Sequence, residues 1–507
     1  MKITLNWLKE HLETDASLSE ITAKLTMLGL EIEEVIERSK GLEDFVVGQI
    51  CEIDPHPNAD KLQVCTIDVG SEILRVVCGA TNIRKEMKCV FAAPGSHIPG
   101  LDVVLKKTKI RGVDSSGMLL SEYEMGLSEN HEGIKEVDKN SPIGTSAVEA
   151  MGLDDPVIEI AITPNRGDCL GVRGIARDLA ASGLGSLKHL PSKFLKGVFK
   201  SPINVHIDLD KGNLDACPQF IGRYIRNVKN VESPIWLKDR LLSIGIKPIS
   251  ALVDITNLMT IEYCRPLHVF DADKIEGDIH VRIAEDGEKI LGLDNKEYAL
   301  DSKMTIIADE KTPRAIAGIL GGEVSGCTME TVNVFVESAL FDPIRTATTG
   351  RRLNLQSDAR FRFERGIDPE FLETGLEIAT QLIIDICGGE ASRILDVGAL
   401  QKRDLKILFR PERIEELAGL NIEKKEMKRI LSVLGFSISV SGNLWNVSVP
   451  SWRNDINSEA CLVEEIVRVF GYDQIPSTPM HRSDVVPQVA WNPDQKNRSF
   501  VRRTLAS

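Results

Sequence analysis

The chain has 507 residues, 42% hydrophobic and 27% charged, which is the composition of folded globular protein with room for three or four domains at roughly 150 residues each. Lys and Arg total 61 against 75 Asp and Glu, so the net charge is −14; this excludes a protein coated with nucleic acid through bulk charge, though not one with a local basic face. Ten cysteines without a CxxC pair exclude a disulfide scaffold and argue against a thiolate zinc site. No run of 18 apolar residues reads as a membrane span. The opening MKITLNWLKEHL is expected not to be a secretory signal, and a cytoplasmic location is expected.

Residues 1–38 read as helical, with a capping box at Ser17–Glu20 and Ile21, Leu25 and Leu28 at helical spacing before Gly29. Residues 39–150 change to short β-rich runs broken by Asp54-Pro55, Pro57-Asn58, Pro94-Gly95 and Pro99-Gly100. About five strands in that span imply a small barrel of the OB type. Residues 156–183 read as strand, turn and helix, and the Lys-, Pro- and Ser-rich stretch 186–203 as a linker. Residues 204–395 form a mixed α/β block, with helices over IWLKDRLLSIG and ETGLEIATQLIIDICGG. Residues 400–476 read as a strand, two helices on a short turn, a hairpin turning at Ser441-Gly442 and a helix from about Ser458. That order is winged-helix-like. Residues 477–507 are a Pro- and Asn-containing stretch before NRSFVRRTLAS, which reads as the start of a helix in a longer chain. The fold class is therefore multidomain α+β, with an OB-fold barrel (39–150) inserted in a split N-terminal α/β domain (1–38 plus 151–203).

Four motifs carry chemistry. His56-Pro-Asn58-Ala-Asp60-Lys61-Leu62 lies between two barrel strands, and Lys106, Lys107, Lys109 and Arg111 cluster within six residues. With few aromatics in the barrel, such a face would touch nucleic acid through backbone contacts more than base stacking. Thr163-Pro-Asn-Arg-Gly-Asp168 reads as a tight turn capping a helix. The third motif group runs from SALVDITN (ending at Asn257) through RPLHVFDADKIEG (with His268), AIAGILGGEVSG (with Gly321), VFVESALF (with Glu337) and QSDARFRFERGIDP (with Ser357 and Ala359). A carboxylate inside the apolar run VFVESALF is either solvent-facing by alternation or buried with a polar partner. Arg345, Arg351, Arg352, Arg360, Arg362 and Arg365 face only Asp358 and Glu364 across residues 343–366, as a phosphate-contacting surface or a set of ion pairs. In the fourth motif, Asp455 precedes Cys461, Glu464 and Glu465, the last three on one helical face at i, i+3 and i+4. Spacing alone favours a solvated acidic face over an oxygen-ligand magnesium site.

Taken together and in order, these motifs resemble the bacterial phenylalanyl-tRNA synthetase β-subunit family from end to end. The resemblance implies a tRNA-binding OB domain using His56, Asn58, Asp60, Lys61, Lys106, Lys107, Lys109 and Arg111. It implies an editing domain whose pocket gathers His268, Asn257, Gly321, Glu337, Ser357 and Ala359, with Glu337 accepting the hydroxyl of a mischarged tyrosine. It implies a magnesium site at Asp455, Cys461, Glu464 and Glu465, where Cys461 replaces the family's usual Asp and thiolate is a poor magnesium ligand. It also implies an α-subunit partner in an α2β2 assembly, tRNA(Phe) as substrate, ATP bound mainly by the α subunit, and a chain that continues into a catalytic-like domain after residue 477. The rival expectation is a tRNA-binding scaffold for the α subunit without editing activity.

Overall fold

The computed structural model describes residues 1–129, 131–190, 195–400, 404–477 and 490–507. Strands Lys2–Thr4, Val157–Ile160 and Ile32–Ile36 form an antiparallel sheet with Val157–Ile160 in the middle. The chain leaves this sheet after Ile36 and rejoins it at Val157, so everything between is an insertion. The capping box at Ser17 forms: Glu20 N–H donates to Ser17 Oγ at 3.3 Å, and the Glu20 carboxylate accepts from Ser17 N–H at 2.8 Å. Residues 1–38 are not wholly helical, because short strands flank the helices Leu5–His11 and Leu18–Met27. The strands alternate too briefly to show a period of two.

The inserted segment rolls a five-stranded sheet in the order Met118–Leu119, Lys88–Ala92, Val46–Pro55, Gln63–Asp68, Ile73–Cys78. Its two edges nearly meet: Ser116 N–H donates to Arg75 O at 2.8 Å, and Val77 N–H to Ser115 Oγ at 3.1 Å. A bulge between Ile50 and Glu52 bends the longest strand, the usual device for curling a sheet. Curvature also explains Gly48, where a Cβ would lie 2.9 Å from Ile67 Cγ2 across the wall.

Residues 205–398 build two five-stranded sheets and a small hairpin, Lys289–Leu291 with Glu297–Ala299. The first runs Val205–Asp208, Ile279–Ile283, Thr305–Ala308, Pro313–Ile316, Leu320–Gly321, with only its first pair parallel. The second runs His268–Asp271, Val334–Ala339, Gln219–Arg226, Glu390–Ala391, and Leu395–Gly398 also pairs with Gln219–Arg226. Helices Ala251–Tyr263 and Leu372–Cys387 pack on each other beside the second sheet. All six residues of Val334–Ala339 are buried, which is why that strand reads as a continuous apolar run.

Residues 406–470 form a three-stranded antiparallel sheet with Leu444–Ser448 central, and helices Arg413–Ala418, Lys424–Val433 and Glu459–Phe470. One apolar core joins this unit, the two-sheet unit and the N-terminal sheet. The stretch read as a linker instead contributes a strand, Ser186–Leu187, paired with Leu12–Glu13; its residues 191–194 lie outside the described residues. The stretch after Pro476 also lies mostly outside them, at 478–489; beyond it, helix Pro493–Ala506 buries none of its residues. Among the described residues, no helix is long and apolar enough to cross a membrane.

Candidate functional site

His268 and Glu337 sit directly opposite one another on antiparallel strands, so their side chains share one face of the sheet. A cavity of about 70 Å³ opens beside them, lined by His268, Gly321, Glu337, Ala359 and apolar residues including Ile316 and Phe363. Glu337 is 5% exposed, and its Oε2 has no hydrogen-bond partner among the described residues. It is therefore neither solvent-facing nor paired, the two outcomes the sequence allowed. Burial pushes its carboxyl up to about 8, so it is a neutral acid at pH 7. His268 Nε2 is likewise unpartnered, and burial pushes the imidazole down to about 4. An uncharged acid and an uncharged base thus share one apolar cavity, each with an unused polar atom.

Gly321 is required by contact. A Cβ there would lie 2.3 Å from His268 Cε1 and 2.9 Å from Nε2. Ser357 does not line the cavity. Its hydroxyl donates to Ile319 O at 2.7 Å and accepts from Arg360 N–H at 3.1 Å. It caps the helix Asp358–Phe363 that carries Ala359 and ties that helix to the cavity wall. Asn257, half-buried on helix Ala251–Tyr263, is not among the lining residues either. The apolar lining from Pro266, Leu267 and Gly318 was missed from sequence; its signal lay inside the runs RPLHVFDADKIEG, which holds Pro266 and Leu267, and AIAGILGGEVSG, which holds Gly318.

On the barrel, His56 and Asn58 work inward. His56 is buried, with Nε2 3.0 Å from Ile110 O and Nδ1 accepting Asn58 N–H at 3.0 Å. Asn58 Nδ2 donates to Arg111 O at 3.0 Å. These bonds pin the 56–62 turn to the hairpin Thr108–Ile110/Val113–Ser115, whose Arg111-Gly112 turn has both φ angles positive. The result brings Asp60, Lys61, Lys106, Lys107, Lys109 and Arg111 out as exposed groups on neighbouring loops. Lys109 stands 3.9 Å from Asp114, too loose a pair to hold it.

The four residues expected to hold magnesium do not fit a cation. Arg453 donates to both oxygens of Asp455, at 2.9 and 2.8 Å, and also to Glu465. Arg468 donates to Glu465 at 2.8 and 3.2 Å. Glu464 is exposed, and Cys461 Sγ faces Ser458 Oγ at 3.1 Å. Glu459, the nearest other carboxylate at the start of that helix, is taken by Arg410. Guanidinium groups therefore fill the positions around the carboxylates. Only Asp168, Cys169 and Asp178 converge as a metal-ligand group among the described residues, and Arg166 bridges both of those carboxylates. Arg166 belongs to the turn read from sequence as structural, and it anchors a buried network running through Asp178 and Arg468 to Glu465.

The arginines of 343–366 are mostly ion-paired or held by neighbours. Arg352 meets Asp301, Arg360 and Arg365 meet Glu364, Arg362 meets Asp358, and Arg345 bonds Asn213. That is the ion-pair alternative rather than a bare phosphate-contacting surface.

Three family profiles match the chain: a tRNA binding domain over 45–146, a B3/4 domain over 216–388 and a tRNA synthetase B5 domain over 407–472. Among curated relatives, the phenylalanine–tRNA ligase beta subunit of Paramagnetospirillum magneticum is 53% identical over 507 residues, which is all of this chain and 63% of that one. The beta subunit of Rhodospirillum rubrum is 49% identical over 509 residues, again covering 100% and 63%. The chain thus spans a little under two thirds of the length of these relatives. A solved N-terminal fragment of the phenylalanyl-tRNA synthetase beta subunit from Pyrococcus horikoshii aligns over 62% of this chain and 88% of that one, at 17% identity and a TM-score of 0.34. That overlap is too loose to bear on the site.

Proposed function

The chain belongs to the family of phenylalanine–tRNA ligase beta subunits, and on that premise we propose that it binds tRNA and removes tyrosine wrongly attached to tRNA(Phe). With an α subunit, in an α2β2 assembly in the cytoplasm, it serves attachment of phenylalanine to tRNA(Phe), with ATP bound mainly by the α subunit. One observation carries the editing reading: a buried carboxyl with an unused oxygen, next to His268 on one face of the sheet and lining the same apolar cavity.

The chemistry follows from the environment. A pocket made for phenylalanine rejects a hydroxylated analogue by only about 10²-fold, so a second test is needed. Glu337, as a neutral acid, both donates and accepts. A phenol hydroxyl satisfies it, whereas a phenyl ring leaves it buried and unpaired at about 1–3 kcal/mol. Ala359 and Gly321 leave space for the ring. An engineered apolar cavity that takes benzene measures about 150 Å³, so a phenol entering this smaller one displaces part of the lining. In hydrolysis, water adds to the ester carbonyl and the bond to the ribose oxygen breaks, freeing tyrosine and tRNA. His268 is too weak a base near pKa 4 to drive that step at neutral pH, so its part is to orient the ester or the water. Asp60, Lys61, Lys106, Lys107, Lys109 and Arg111 are the tRNA-facing groups, with His56 and Asn58 holding their loops together.

The test is deacylation of Tyr-tRNA(Phe) against Phe-tRNA(Phe) by this chain, with and without an α subunit. Selective loss of the tyrosyl ester is expected, falling at least tenfold in Glu337→Ala. No loss in either setting means a scaffold; equal loss of both esters removes Glu337 as the discriminating group.

A further inference from the structure

A second cavity, of about 190 Å³, lies where the N-terminal unit, the two-sheet unit and the last unit meet. Arg173 and Arg177 reach it from helix Val172–Ala181, and Tyr263, Phe371 and Trp452 wall it. Tyr263 and Phe371 stack with centroids 5.6 Å apart and planes at 30°. The Arg177 guanidinium carbon sits 4.1 Å from the Trp452 ring centroid.

The charges around this cavity are unevenly satisfied. Asp168 gives both oxygens to Arg166 at 3.0 Å, and Asp178 is shared by Arg166 and Arg468. The nearest carboxylate oxygen to Arg177 is therefore already engaged and 3.9 Å away. Arg173 has, among the described residues, only the carbonyl of Lys188 at 3.0 Å. Asp368 also lines the cavity, but one of its oxygens caps Glu370 N–H. The Trp452 Nε1 atom is buried with no acceptor among the described residues. Burial pushes the Arg173 and Arg177 guanidiniums below their ordinary range, whereas nearby carboxylates hold Arg166, Arg453 and Arg468 above it. Donors exceed free acceptors on this one surface.

We propose that this cavity is a binding site for a small aromatic carboxylate, its oxygens taken by Arg173 and Arg177 and its ring held among Tyr263, Phe371 and Trp452. Guanidinium groups suit a carboxylate because two parallel N–H bonds match its two oxygens. The volume slightly exceeds the roughly 150 Å³ that accommodates benzene, so one ring with a short acidic group fits and little more. A bare oxyanion leaves the aromatic walls unfilled, and a neutral ring leaves the guanidiniums without a counter-ion.

The test is fluorine NMR titration of the 507-residue chain with 4-fluorobenzoate, 4-fluorobenzyl alcohol and inorganic phosphate. Saturable 4-fluorobenzoate binding is expected, at least tenfold tighter than the alcohol and not displaced by equimolar phosphate. Arg177→Gln and Arg173→Gln should each weaken it at least tenfold. Ala359→Trp, which fills the other cavity, should leave it unchanged. Equal binding of the alcohol, displacement by equimolar phosphate, or indifference to the arginine substitutions would overturn the proposal. If Arg177→Gln does not fold, Arg173→Gln decides alone, since among the described residues Arg173 has only the bond to the Lys188 carbonyl to lose and does not stack on Trp452.

Discussion

Glu337 combines full burial with an unused oxygen, and that combination has a thermodynamic signature. Its carboxyl titrates at about 8 in the folded chain and near 4.5 when unfolded. Below pH 4.5 both states carry the proton and the group adds no pH-dependent cost. As pH rises from about 4.5 to about 8, only the unfolded chain gives the proton up, so stability falls; above about 8 it stops falling. Glu337→Gln carries no such proton. Its advantage over the parent chain should grow across that window to on the order of a few kcal/mol, read from urea midpoints at several pH values. A constant difference would mean that Glu337 is ionised in the folded protein. Gly321→Ala should cost about 1–3 kcal/mol and displace the His268 ring, because the added methyl lands on it. Calorimetry and the His268 ring resonances would show this.

Among the elements, the barrel's basic face depends on two side chains that bond to the barrel's own backbone, the buried His56 and the exposed Asn58. His56→Ala removes a bond to Ile110 O and one from Asn58 N–H, and should loosen the 56–62 turn from the Lys106–Arg111 hairpin. Replacing Lys106, Lys107, Lys109 and Arg111 together by Ala should lower the slope of log affinity for tRNA against log salt by about 3, as four phosphate contacts on single-stranded nucleic acid would. An unchanged slope would place tRNA elsewhere. The motif heptapeptide and the lysine cluster were both legible in sequence. Their bonding was not, because His56 meets Ile110 across more than fifty residues. The strand His268–Asp271 also escaped the sequence reading, being four residues long and preceded by Pro266. Alternation could not say which way Glu337 faces, since both faces of Val334–Ala339 are covered.

Over the whole molecule, buried arginines join units that are far apart in sequence. Arg468, on the penultimate helix described, bonds Asp178 at 2.7 Å and the carbonyl of Leu28 at 3.1 Å in the N-terminal unit. The acidic run that suggested a cation is half of this junction. Its competitor was visible in sequence as Arg453, two residues before Asp455, but i, i+2 spacing in a turn does not say which carboxylates an arginine will reach. Arg453→Met leaves Asp455 without its bidentate partner and Glu465 with one arginine fewer, and should cost about 3–5 kcal/mol. EDTA should leave the melting temperature unchanged, and Cys461→Asp should not alter magnesium titrations. A drop on chelation, restored by magnesium, would return a cation to this junction.

If a neutral Glu337 tests for the tyrosine hydroxyl, binding alone reveals it, without the chemical step. Calorimetric titration with non-hydrolysable 3′-amide analogues of tyrosyl- and phenylalanyl-adenosine should show the tyrosyl form bound about 10- to 100-fold tighter, the range expected for one buried group left unpaired. In Glu337→Ala that preference should vanish. Equal affinities in the parent chain, or a preference that survives Glu337→Ala, would contradict the account.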